Sequence, residues 1–381
     1  MPDRKARRGK GDKSRQRLRT LLLEDLRQGN FQGTMRRDLR EMYDFYLDED
    51  ARDRLSAMGR MKRWLHVVIW LLKSLVRKLS PTRRILLIVC LVLYMFSDVR
   101  ARYGAMDISI DFRLFSFVLL LIILMLELKD KLLAHDELKV GRAVQIALLP
   151  KENPGLSGWD IWLYTRPAND VGGDLVDFIR LESGRVALFL GDVVGKGLGA
   201  ALLMAKLQST LRTLIPEEGS LEDLGRRTNQ IFCRDGLPGK FATAVYLEIG
   251  PDEGQVQVLN AGHLPPVVLH CGTHESLPPV AMPFGILSGE SYHEQSLAVP
   301  PGGLLLAYSD GLTEAFNEAE ECFGDERVEA LFPALEGRSA EAAGQFILQA
   351  VDRFIGDRRP SDDLSLIVLR RWAGSESTSA S

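Results

Sequence analysis

The feature that most narrows the folds open to this chain is a recurring junction between an apolar, β-branched run and an aspartate. ALFLGDVV carries Asp192 at the end of such a run, and LLLAYSDG carries Asp310. In SDDLSLIVLR, Asp362 and Asp363 precede the run, and Asp174 borders another in NDVGGDLVDF. Runs of this composition bounded by Gly, Asp or Pro read as strands. Taken singly, each aspartate reads as a turn residue or a helix cap. Recurrence of the junction in one region favours carboxylates that are held by rigid strand ends and converge on a pocket. An oxygen-rich, anionic pocket selects hard divalent cations such as Mg²⁺ and Mn²⁺.

Between 156 and 372 the strand-like segments are IWLYTRPA, RVALFLGDVV, FATAVYLEIG, QVQVLNAG, PVVLH, GLLLAYSDG and LSLIVLRRW. Helical patterns cover 197–215, 220–233, 325–335 and 339–355. Strands at both ends with helices grouped between them predict an α+β domain of packed layers, not a regular βαβ repeat.

Several chemistries are excluded. The four cysteines, Cys90, Cys233, Cys271 and Cys322, show no CxxC spacing, which argues against a thiolate zinc site and a disulfide framework and fits a reducing compartment. There is no HExxH and no Walker loop; GKGLGA (195–200) lacks the terminal Lys-Ser/Thr pair. Residues before 61 carry no apolar stretch of the secretory-signal kind.

The net charge of −3 hides an asymmetry. Residues 1–84 hold 23 Lys and Arg against 11 Asp and Glu, a net +12; the remainder holds 25 against 40, a net −15. A basic first quarter predicts an anionic partner. The tail MPDRKARRGKGDKSRQRLR has no interleaved aromatics, so membrane phosphate is favoured over nucleic acid. Residues 61–79 place Trp64, Val67, Val68, Leu71, Leu72, Leu75, Val76 and Leu79 at helical spacing mostly opposite basic residues, as in an interfacial helix. Two uncharged runs follow, Ile85–Ser97 and Leu114–Leu126, each of 13 residues, against the ~20 that a bilayer core requires. With their tolerable flanks and basic neighbours they predict a membrane hairpin with both ends in the cytoplasm. Residues 127–149 read as a helix leaving it, with Leu126, Leu133, Val140 and Ala147 seven apart. That partial heptad pattern admits a homodimer through the linker helix. The chain thus divides into a basic region (1–60), an amphipathic helix and hairpin (61–128), a helical linker (129–149), the α+β domain (150–372) and a flexible tail (373–381).

The ordered set GRAVQIALLP, RPANDVGGDLVDF, GDVVGKGLGAALLMA, FATAVYLEI, NAGHLPP, PFGI, YSDGLTEA and SDDLSLIVLR resembles the SpoIIE/RsbU type of metal-dependent protein serine/threonine phosphatases, the PPM superfamily. The resemblance covers roughly 139–372. It implies a PPM-type sandwich of two antiparallel β-sheets flanked by helices, with two divalent cations, Mn²⁺ or Mg²⁺, between the sheets. It further implies that Asp192 bridges the ions and that the backbone carbonyl of Val193 is a ligand. Asp310 and Asp362 hold one ion in this reading, with Asp174 nearby; Asp363 is the alternate if the SDD register is off by one. Gly311 and His263 border the site. The implied reaction is attack by metal-activated water on phosphoserine or phosphothreonine. The implied substrate is a phosphorylated regulatory protein of the anti-sigma-factor-antagonist kind, met at the bacterial cytoplasmic membrane.

One departure matters. The family's usual DVSGHG is DVVGKG here, so Lys196 stands where a histidine would supply a proton to the leaving serine. The competing reading is a non-catalytic PPM-fold scaffold that binds phosphoprotein; its mark would be loss of the metal aspartates, and all are retained.

Overall fold

The computed structural model describes residues 76–373 and scattered positions between 62 and 73, except 97, 104–105 and 237–238. The basic region 1–60, most of the amphipathic helix over 61–79, and all but the first residue of the tail lie outside the described residues. The chain divides into two compact units, Met1–Asp130 and Lys131–Ser381.

In the first unit, helix α1 (Pro81–Met95) leads into strands β1 (Asp98–Tyr103) and β2 (Met106–Asp111), and α2 (Arg113–Leu148) begins there; its residues from Lys131 onward belong to the second unit. Pro81 opens α1 where a missing N–H costs nothing, and the Ser80 hydroxyl accepts from the Arg83 N–H. The two strands pair antiparallel from Asp98↔Asp111 to Tyr103↔Met106. The helices lie side by side and antiparallel. Arg83 reaches Glu127 at 2.7 Å and also pairs with Asp130, and the Ser116 hydroxyl donates to the Cys90 carbonyl at 2.9 Å.

This arrangement corrects the expected membrane-spanning hairpin. The two apolar runs do form a helix pair, but among the described residues no helix is long and apolar enough to cross a membrane. The 15 residues of α1 reach only about 22 Å at ~1.5 Å per residue, short of a ~30 Å hydrocarbon core. The apolar part of α2 ends at Glu127, although the helix itself continues for 36 residues.

The second unit is a sandwich of four layers. One sheet has strand order β10-β7-β6-β5-β4 and the other β3-β12-β11-β8-β9, with every pairing antiparallel. The first contains β4 (Leu175–Arg180), β5 (Val186–Val193), β6 (Ala242–Ile249), β7 (Gln255–Ala261) and β10 (Gln295–Ala298). The second contains β3 (Trp159–Arg166), β8 (Val267–His270), β9 (Thr273–Ser276), β11 (Leu304–Tyr308) and β12 (Leu364–Arg371). Helices α3 (Leu198–Leu214) and α4 (Leu221–Asp235) cover the first sheet; α5 (Gly324–Leu335) and α6 (Ala340–Ile355) cover the second.

Side-chain alternation explains the apolar runs. Along β5, Val186, Leu188 and Leu190 enter the core between the sheets, while Ala187 and Phe189 face the helices. Along β12, Ile367 and Leu369 face the other sheet, while Leu364, Leu366 and Val368 face α6. A strand covered on both faces needs apolar residues at every position. Each fully buried Leu, Val or Phe contributes about 1.5–3 kcal/mol. Ser220 and Ser339 cap α4 and α6 by accepting from the N–H groups of Asp223 and Ala342.

Candidate metal centre

The same alternation aims the aspartates. Val186, Leu188 and Leu190 point between the sheets, so Asp192 does too, at the open end of β5. Val176 shares that core, and Asp174 sits two residues before it. In the opposite sheet Ile367 and Leu369 set the phase that turns Ser365 and Asp363 inward, and Leu305 and Ala307 do the same for Ser309. The strand ends thus aim Asp174, Asp192 and Asp363 into one end of the cleft between the sheets, and Asp310 and Asp362, which lie outside that phase beyond the ends of β11 and β12, are near enough for their charges to act on Asp192.

Electrostatics record the convergence. Burial pushes the Asp192 carboxyl up to about 7, reinforced by Asp310, Asp362 and Asp363. Asp310 rises to about 6 through burial, Glu314 and Asp362. Asp174 is 4% exposed, and burial followed by the charge of Asp192 drives it well above the ordinary carboxylate value. The hydroxyls of Ser365 and Ser309 oppose that rise. One carboxyl oxygen of Asp174, Oδ2, is buried with no hydrogen-bond partner.

Asp363 is used differently from Asp362. Its Oδ1 accepts the Ala168 N–H at 2.7 Å, and its Oδ2 accepts the N–H groups of Gly173 and Asp174 at 2.5 and 3.4 Å. It ties the segment before β4 to the segment before β12. Asp362 stands at the mouth, where its Oδ2 lies 2.9 Å from Lys196 Nζ. Gly311 is glycine because the Asp363 carbonyl lies where its Cβ would be, at 1.8 Å. The Val193 carbonyl abuts Gly173, where a Cβ would come within 3.1 Å of the oxygen.

His263 does not open onto the cleft. It is 4% exposed, its Nδ1 lies 2.8 Å from Thr243 Oγ1, and Thr243 pairs with Asp192 across β5 and β6. Burial lowers its pKa to about 4, so it is neutral at physiological pH and supports the strand that carries Asp192. Sequence reasoning missed Glu314, Ser309 and Ser365. The serines flank aspartates in YSDG and SDDLS, yet only strand phase shows that they face inward.

Among the described residues, no three His, Cys, Asp or Glu side chains are already gathered closely enough to hold an ion. The donor set nevertheless fits hard cations. It is all oxygen, burial and then mutual repulsion raise its Asp192 and Asp310 carboxyls toward neutrality, and one buried oxygen lacks a partner.

A sandwich of two antiparallel sheets flanked by helices is a PP2C-like fold. The chain aligns with the SiaA-PP2C domain of Pseudomonas aeruginosa at a TM-score of 0.56 and 18% identity, covering 63% of this chain and 98% of that one. The chain belongs to the SpoIIE family: residues 182–372 match the family described as Stage II sporulation protein E (SpoIIE). It is 28% identical to Protein IcfG of Synechocystis sp. over 263 residues, 62% of this chain and 41% of IcfG. It is 26% identical to the phosphoserine phosphatase RsbU of Bacillus subtilis over 241 residues, 62% of this chain and 70% of RsbU.

Proposed function

We propose that this chain is a metal-dependent protein serine/threonine phosphatase that hydrolyses phosphoserine or phosphothreonine on a regulatory protein. The observation that carries the reading is the convergence of Asp174, Asp192, Asp310 and Asp362, with an unpartnered buried oxygen on Asp174 and pKa values raised by burial and then by the neighbouring carboxylates. Kinship with a phosphoserine phosphatase supports the substrate class. A small phosphorylated regulator of the anti-sigma-factor-antagonist kind is the substrate proposed.

Asp192, Asp310, Asp362 and Asp174 would hold two divalent cations, with the Val193 carbonyl as a further ligand. Such a pair lowers the pKa of a bound water and binds phosphoryl oxygens. The protein's own part is to hold these carboxylates on strand ends. Asp363 fixes the chain before Asp174 through backbone N–H groups, and Thr243 with His263 backs the strand of Asp192. His263, buried and neutral, cannot deliver a proton to the leaving serine, and Lys196 replaces the histidine the family usually has. Protonation of the leaving oxygen is therefore assigned to solvent.

Asp192→Asn removes charge from the centre while relieving repulsion, so the variant should remain folded and lose nearly all Mn²⁺- or Mg²⁺-dependent hydrolysis of a phosphate ester. If Asp192→Asn keeps most of the turnover, this assignment fails. Wild-type protein that binds phosphoprotein but never turns it over would establish the scaffold reading instead.

For the first unit we propose attachment to a membrane surface. The helix pair exposes Ile85, Ile88, Leu91, Val92, Leu114, Phe117, Leu121 and Leu124, and the sequence before it is strongly basic. Leu133 and Val140 on α2 are also exposed, which supports a homodimer through that helix.

A further inference from the structure

The loop that follows Asp192 is built to aim one side chain. Gly195 and Gly197 take φ values of +110° and +73°, conformations that other residues rarely adopt. A Cβ at Gly195 would also come within 2.7 Å of Lys240 Nζ. Lys196, bracketed between these glycines, reaches across to the opposite sheet. Its ammonium lies 2.9 Å from Asp362 Oδ2 and donates to the Ser361 carbonyl at 2.8 Å. Its charge also acts on Asp310, against the repulsion of Glu314 and Asp362. The ammonium therefore sits on a carboxylate that the metal reading assigns to a cation, and it joins the two sheets across the cleft mouth.

We propose that Lys196 is an internal counter-ion of the cleft: it holds Asp362 in the metal-free protein and competes with the divalent cation for that carboxylate. This rests on the metal-dependent reading above and adds to it a residue that sets how much cation the site needs. A carboxylate oxygen engaged by an ammonium is not free to bind a cation, and two positive groups brought to one carboxylate repel. Loading the cleft must then break the Lys196–Asp362 pair. The residue acts twice, steadying the empty cleft and weakening cation binding, and removing it should change these two properties in opposite senses. A lysine with only a structural role would change stability in one sense whether or not cation was present.

The test uses the full-length protein and Mn²⁺ alone. Binding is measured by titration calorimetry, and thermal unfolding is followed in chelator and in saturating Mn²⁺. For an ion pair of this partly exposed kind, Lys196→Gln should bind Mn²⁺ about two- to fivefold more tightly than wild type. It should unfold at lower temperature than wild type in chelator and gain more from saturating Mn²⁺. Lys196→Arg, which keeps the charge, should stay near wild type in both measurements. Equal or weaker Mn²⁺ binding by Lys196→Gln, or a loss of stability that is the same with and without Mn²⁺, overturns the proposal and leaves the metal centre standing. Absence of Mn²⁺ binding by wild type and variants alike overturns the metal reading, and this proposal with it.

Discussion

At the scale of single residues, the cleft is a set of carboxyls held where they would rather keep protons. Asp192 at about 7 and Asp310 at about 6 lie above the ordinary value of 3.8, so the folded protein binds these protons more tightly than the unfolded chain does. Their stabilising contribution is fully present below the unfolded pKa and is lost as pH rises through 6 and then 7. Metal-free protein should therefore have a higher unfolding temperature near pH ~5 than near pH ~7.5, as far as these groups decide it. Asp192→Asn should flatten that dependence. A chelated wild type whose stability instead rises over this interval would show that the cleft does not govern it. Cation binding should run the other way and strengthen with pH, because ligands must be deprotonated. Sequence alone placed the five aspartates together, with Asp362 as the ligand and Asp363 as the alternate. Their partners differ: Asp363 accepts from backbone N–H groups, and Asp362 stands at the cleft mouth beside Lys196.

At the scale of elements, the end of α2 is tied to the segment before Asp174 by a buried side chain. Gln145 is 6% exposed, and its Nε2 donates to the Gly172 carbonyl at 2.8 Å while its Oε1 accepts the Gly172 N–H at 3.0 Å. Gly172 immediately precedes the residues whose N–H groups Asp363 holds, so the end of α2 and the last strand grip the segment carrying Asp174 from two sides. The Leu148 carbonyl, at the end of α2, accepts from Gln208 of α3 at 2.8 Å, and Gln208 also bonds the buried Asp177. Gln145→Leu would strand a buried N–H and a buried C=O, at a cost of about 1–3 kcal/mol. Denaturant unfolding should show that loss, and turnover should fall because Asp174 is less firmly placed. Unchanged stability would mean that Gly172 finds other partners. The sequence marked GRAVQIALLP as a helix at a junction, and α2 does end at Leu148; nothing in spacing could show that its glutamine reads the backbone of a loop 27 positions further on.

At the scale of the whole molecule, the basic first quarter and the apolar helix pair belong to one unit and the acidic cleft to the other. Full-length protein mixed with vesicles containing anionic lipid should co-sediment and stay bound in high salt, because salt screens the basic residues but not apolar contact. Ile88→Glu combined with Leu121→Glu should make that binding salt-sensitive. Complete release of wild type by salt would leave electrostatic attachment alone and remove any role for the apolar face.

What the sequence determined by itself was what nearest neighbours along the chain can encode. Apolar runs covered on both faces gave β5, β6, β11 and β12 close to their observed bounds, and the helical periods gave α3 to α6. It missed the short strands β9 and β10, whose exposed or mixed residues carry no alternation strong enough to read. It also read two helices as membrane spans from their tolerable flanks and basic neighbours, although each apolar run is shorter than a bilayer core, and among the described residues no helix is long and apolar enough to cross one. Only tertiary structure decided how the cleft is held. Strand phase turned Ser309 and Ser365 inward, close approach to the Asp363 carbonyl required a glycine at 311, and the facing of two sheets brought Lys196 onto Asp362. Those contacts join residues 52 to 166 positions apart, and a separation of that size is set by how sheets pack, not by any local pattern.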